Sequence, residues 1–178
     1  MKLKSWRLTS LGVLTMVNRV RIVVGMFYAL FILFLVWRVF LRGTPPLIWD
    51  QAIHFIASVK YYNALMHFEL SDLVYADRYY PPLPQLFAIP GYIIFGPSVS
   101  VGVFTLNAIA VGIMLYATYK ISKLMRVSPP VPIFMILTSP IILDQATTFM
   151  MDITLTSIVV LTWYRWILCF SSFGHQKY

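Results

Sequence analysis

The chain has 178 residues, 60% of them hydrophobic and 11% charged, with a mean hydropathy of +0.78. A soluble domain of this size has no interior large enough for that apolar content, which excludes a water-soluble globule and leaves a membrane protein. The formal charge of +8 would suit nucleic acid in a soluble protein. Here the cations cluster at the ends of apolar runs, where they report topology, so no nucleic-acid partner is expected.

Backbone groups left unpaired in lipid cost several kcal/mol each, so spanning segments are helices or closed barrels. The long unbroken apolar runs predict helices: an all-α polytopic protein with about four transmembrane helices. Residues 1–21 carry Lys2, Lys4, Arg7, Arg19 and Arg21 and read as a cytoplasmic tail. The run 22–41 is the first span. It is too long for a signal-peptide core and no small-residue cleavage site follows, so it is expected to be retained.

A large extracytoplasmic loop over 42–98 follows. Within it WDQAIHFIASVKYYNAL (49–65) predicts an amphipathic helix resting on the membrane. Ile53, Ile56, Ala57 and Ala64 share one face, with Lys60 snorkelling from it. Gln51, His54, Ser58 and Tyr61 share the other, which is expected to face water. Next comes RYYPPLPQLFAIPGYIIFG (78–96). Its apolar run from Leu83 to Phe95 reaches only about 20 Å as a helix, against ~30 Å of hydrocarbon. Counting it as a span would also put Lys120, Lys123 and Arg126 opposite the basic N-terminus, against the positive-inside rule. It is therefore placed on, or dipping into, the outer leaflet.

The run 99–119 is the second span. Pro129, Pro130 and Pro132 open a short third span over 129–143, and 150–170 is the fourth. Residues 171–178, with Lys177, form a second cytoplasmic tail. Asp50, Glu69, Asp72, Asp77, Asp144 and Asp152 then all fall on the outer face, where chemistry is to be sought.

Two carboxylates draw attention there. Asp50 opens the amphipathic helix, either as its N-cap or as a base held at the membrane surface; the two roles are compatible. Asp152 opens the fourth span and faces the same choice between capping and a cavity shared with Asp50. Arg42, Lys60 and Arg78 suit anchoring to lipid phosphates or binding the phosphate of a lipid-linked substrate. Tyr61, Tyr62, Tyr75, Tyr79 and Tyr80 suit an interfacial aromatic belt or a sugar site. The single cysteine, Cys169, excludes an internal disulfide, and His54, His67 and His175 show no metal-ligand spacing.

Taken in order, these motifs resemble a family. An aspartate begins an amphipathic helix soon after span one, and YPPL opens a short apolar helix ending in FG. SP lies in span three and FMMDITLTSIVVLTWY starts span four. This set, over about residues 20–170, resembles the polyprenyl-phosphate-sugar-dependent membrane glycosyltransferases of the GT-C class. Within that class it is most similar to the protein O-mannosyltransferase and lipid A aminoarabinose transferase branch. The resemblance implies a lipid-linked sugar donor, a protein or glycolipid acceptor, and Asp50 as general base. It implies a place for Asp152 near the same cavity, orienting acceptor or base, and Lys60 or Arg78 at the donor phosphate. No cofactor beyond that donor is implied. Gln51 stands where the family often has a second acid, which leaves divalent-metal help open, and Thr147 and Thr148 stand near where it often has an arginine.

Family members continue through many more spans, so the chain reads as the N-terminal module of such an enzyme, with a second chain or a longer frame supplying the rest. Its setting is the plasma membrane in a prokaryote or the endoplasmic reticulum in a eukaryote. The alternative is a non-catalytic scaffold or assembly subunit. A coupled transporter would hold its acids at mid-span, whereas here they lie in loops and at span ends.

Overall fold

The structure, a computed structural model, describes residues 3–69, 71 and 80–174. Every element among them is a helix: α1 (Leu3–Val36) with a wider π-helical turn (Trp37–Leu41), α2 (Trp49–Met66), α3 (Leu83–Phe95), α4 (Val99–Leu124), α5 (Pro130–Leu137), α6 (Pro140–Gln145) and α7 (Asp152–Gly174). Three segments are long and apolar enough to cross a membrane: Asn18–Leu41, Val99–Leu124 and Asp152–Phe170. The described elements are thus all helical, and three of their segments have the length and apolarity of membrane spans.

Residues expected as an N-terminal tail are helical from Leu3 onward and continuous with the first apolar helix. That helix ends where its ladder slips to a five-residue spacing, with the Arg42 amide donating to the Trp37 carbonyl at 3.0 Å. Gly43 follows with φ of +83°, and Pro45 and Pro46 prevent continuation.

Helix α4 is the axis of the fold. Ser98 caps it, its side chain accepting from the Val101 amide at 3.2 Å, which contributes about 1 kcal/mol. Along it run fully buried Val103, Leu106, Asn107, Ala110, Val111 and Ala117. Helix α1 lies antiparallel to it: Phe40 packs on Phe104 with ring centroids 5.5 Å apart, Tyr28 donates to the Ala108 carbonyl at 2.9 Å, and Arg21 and Tyr119 line one cavity. Helix α7 lies parallel to α4, since the Asn107 amide donates to the Thr148 carbonyl (3.1 Å) and Tyr116 meets Tyr164 further along (6.3 Å).

Parallel α4 and α7 leave the chain between them one task, which is to return from the end of α4 to its start. Residues 130–145 make that return along α1, Phe134 packing on Phe27 at 5.9 Å, and their 16 residues cover ~24 Å of helical rise. A single helix over 129–143 was expected from the sequence; the structure breaks it in two. Ser139 stands extended, with ψ of 122°, because the ring of Pro140 disfavours helical geometry in the residue before it.

The largest correction concerns α2. Its polar residues His54, Ser58 and Tyr61 do not face water but are buried, at 3%, 0% and 3% exposure, while Ile53 and Ile56 are exposed. The reason is α3, which lies against that face. Ser58 Oγ donates to the Phe55 carbonyl at 2.7 Å, so its one proton is committed and Tyr92 Oη must be the donor in the 2.8 Å bond between the two hydroxyls. Burial outweighs that bond and pushes the Tyr92 hydroxyl up to about 12, so it remains a neutral donor at any physiological pH.

The proline-led entry to α3 is explained by Gln85, fully buried. In the amide orientation that satisfies its neighbours, its nitrogen donates to the Pro81 and Pro82 carbonyls (2.8 and 3.2 Å), and its oxygen accepts from His54 Nδ1–H (3.2 Å). Tyr80 adds an edge-on ring contact to His54 at 4.5 Å. Gln85→Leu is expected to cost about 1–3 kcal/mol by removing the acceptor of a buried donor. It should show as a lowered unfolding midpoint in detergent and earlier protease cleavage before Leu83.

Candidate functional site

The packing separates charge along the bundle. Arg21 on α1 and Lys120 and Lys123 on α4 share one end, because α1 and α4 are antiparallel. Asp50, Asp144 and Asp152 belong to the opposite end, where α2, α6 and α7 meet the start of α4. The Phe55 ring meets the Phe149 ring at 6.0 Å, edge to face. That contact draws the first turns of α2 toward the turn that launches α7, and so brings the Asp50 and Asp152 segments to one region.

Asp50 is not the N-cap of α2. Ile48 occupies that position with no side-chain cap bond, and Asp50 sits in the first helical turn, exposed. There it complements the positive end of the helix dipole while keeping both oxygens available to solvent. Asp152 lies in the first turn of α7 and is exposed as well. Lys60 is exposed on α2, ten residues beyond Asp50 and so ~15 Å along the helix axis. The two cannot serve the same atom, but they can serve opposite ends of one extended ligand. Arg78, with Asp72, Asp77, Tyr75 and Tyr79, lies outside the described residues.

Unpartnered polar atoms mark the same end. Among the described residues, buried side-chain atoms without a hydrogen bond are Gln51 Oε1, Asn107 Oδ1, Gln145 Oε1, Thr154 Oγ1 and Tyr119 Oη. The first four lie on the start of α2, the first half of α4, the end of α6 and the first turn of α7. Folded proteins rarely leave buried polar atoms unsatisfied, so such a concentration marks a place where water or a ligand belongs. Thr147 and Thr148 add nothing to it, because their hydroxyls donate to the Asp144 and Gln145 carbonyls at 2.8 and 2.9 Å.

Arg38 and Arg42, at the end of α1, were not singled out as a pair in the sequence, yet both guanidinium groups lie over the Trp37 ring, at 5.9 and 5.1 Å. They place fixed positive charge at the carboxylate end. Their four-residue spacing on a helix was the available signal. Among the described residues, no three His, Cys, Asp or Glu side chains gather as metal ligands.

The arrangement offers an exposed carboxylate at the start of α2 and a second at the start of α7, with cations at the end of α1 and unsatisfied amide and hydroxyl groups on segments of the same end. It suits a polar, anionic-headed ligand approached from one end of a helical bundle. No family model, curated protein or solved structure matches the chain.

Proposed function

We propose that this chain is a module of a membrane glycosyltransferase that moves a sugar from a polyprenyl-phosphate donor to an acceptor hydroxyl on the extracytoplasmic face. The observation that carries the reading is the gathering of Asp50, Asp152 and four unpartnered buried polar atoms at the bundle end opposite Arg21, Lys120 and Lys123.

In this reading Asp50 takes the acceptor proton as the acceptor oxygen bonds to C1, a general-base step. The C1–O bond to the lipid phosphate breaks, and cations at the same end stabilise the departing phosphate. Arg38 and Arg42 are the described groups at that end, while Lys60, ~15 Å along α2 from Asp50, can reach only a more distant part of the donor. One base and one displacement invert the anomeric centre, by the logic of single-displacement glycosidases. Asp152 and Gln51 orient the acceptor.

The test is transfer of labelled sugar from a panel of polyprenyl-phosphate donors, measured in membranes carrying the chain. Transfer to protein or glycolipid hydroxyls above that of control membranes supports the reading. No transfer from any donor, with the tagged chain recovered in a stoichiometric complex with another membrane protein, would instead favour an assembly subunit.

The same reading assigns four crossings, α5 and α6 together forming the third despite their break. Single cysteines in a Cys169→Ser background test it with an impermeant thiol reagent on sealed cells. Trp49→Cys and Asp144→Cys are expected to react from outside, and Met125→Cys only after permeabilisation. Reaction of positions 125 and 144 from the same side would remove the third crossing.

A further inference from the structure

At the basic end a groove of about 300 Å³ opens between α1 and α4, lined by Arg21, Val24, Gly25 and Tyr28 on one side and by Gly112, Leu115, Tyr116 and Tyr119 on the other. Its polarity is graded. Towards Tyr28 it is closed to polar ligands, because that hydroxyl is already committed to the Ala108 carbonyl and packs close to Gly112. At the Arg21 end the Tyr119 hydroxyl is buried, with the Arg21 and Lys123 cations beside it. Lys123 Nζ lies 5.3 Å from the centre of the Tyr119 ring, and Lys120 Nζ lies 5.4 Å from that of Tyr116.

We propose that this groove holds one anionic phospholipid, its phosphate against Arg21, Lys123 and Tyr119 Oη and an acyl chain along Val24, Gly25 and Leu115. Charge complementarity selects the occupant. Positive charge at one end and apolar lining over the remainder fit an amphiphile with a negative head, whereas a choline headgroup would bring a cation to cations. The volume, about 300 Å³, sits at the low end of small-ligand sites, ~300–1,000 Å³. The site lies at the end away from Asp50, so it is independent of the transferase reading.

Native mass spectrometry of the full chain in detergent tests this, with phosphatidylglycerol and phosphatidylcholine of identical acyl chains added in parallel. One phosphatidylglycerol is expected to be retained at about tenfold lower lipid concentration than phosphatidylcholine. Arg21→Gln with Lys123→Gln should abolish that preference. Gly25→Phe should lower occupancy by both lipids, since a Cβ at Gly25 meets nothing within 4 Å and the ring can fill the groove without disturbing the helices, as circular dichroism would verify. Equal retention of the two lipids by the unaltered chain overturns the proposal. So does a preference that survives the paired substitution, or unchanged occupancy in Gly25→Phe.

Discussion

Replacing Gly102 by valine is expected to lower the unfolding midpoint by on the order of 10 °C, through loss of the seat that α3 and the turn before α7 share on α4. A Cβ at Gly102 would overlap the Tyr92 hydroxyl and the Phe149 ring. Both ends are flexible in principle, but Tyr92 and Phe149 are 0% and 1% exposed, so neither has room to swing away. Overpacking of this kind costs about 1–3 kcal/mol. Displacing Tyr92 also breaks its bond to the buried Ser58, which adds about 1–3 kcal/mol. At this chain length each kcal/mol shifts the midpoint by roughly 2–4 °C. Gly25→Val is the matched control, because the added atoms enter open space. A Gly102→Val midpoint within about 2 °C of the unaltered chain would mean that α3 is not clamped at this point.

The second large effect is chemical. Asp50→Asn is expected to reduce sugar transfer by ~10²–10⁴-fold, the usual contribution of a positioned general base, while leaving insertion intact and lowering the unfolding midpoint by no more than about 4 °C through the lost helix-dipole interaction. The separation of the two readouts follows from the structure. Asp50 is exposed and the N-cap of α2 is Ile48, with no side-chain cap bond, so the substitution removes no cap. Asp152→Asn should lower transfer less, since it leaves the base in place. Initial rates from lipid-phosphate donors, alongside unfolding midpoints of the same preparations, measure both. An Asp50→Asn enzyme within twofold of the unaltered rate would remove Asp50 as the base, and a midpoint lowered by more than about 4 °C would assign it to holding α2.

The lipid groove and the carboxylate end lie at opposite extremes of α4, which allows their tests to be read separately. Loss of phosphatidylglycerol preference in the Arg21 and Lys123 variant needs no transfer assay. Loss of transfer in Asp50→Asn needs no lipid titration.

The sequence by itself determined that the chain holds long apolar helices, expected at 22–41, 99–119 and 150–170 and found at Asn18–Leu41, Val99–Leu124 and Asp152–Phe170, because roughly twenty apolar residues have one stable backbone solution in lipid. It also determined that 82–96 is a short helix, from the length of its apolar run. The burial of α2 could not be read there. His54, Ser58 and Tyr61 share a polar face, and a polar face faces water unless another element brings matching donors and acceptors. Gln85 and Tyr92 do so from thirty residues away, and periodicity within α2 carries no trace of them. The same holds for Gly91 and Gly102, whose missing side chains matter only because Thr105, Tyr92 and Phe149 lie against them. The return of 130–145 along the bundle was a matter of tertiary structure too. The break at Pro140 was not read from the sequence, whose run over 129–143 reads as one span, and only the parallel packing of α7 on α4 requires the broken segment to travel back along the bundle.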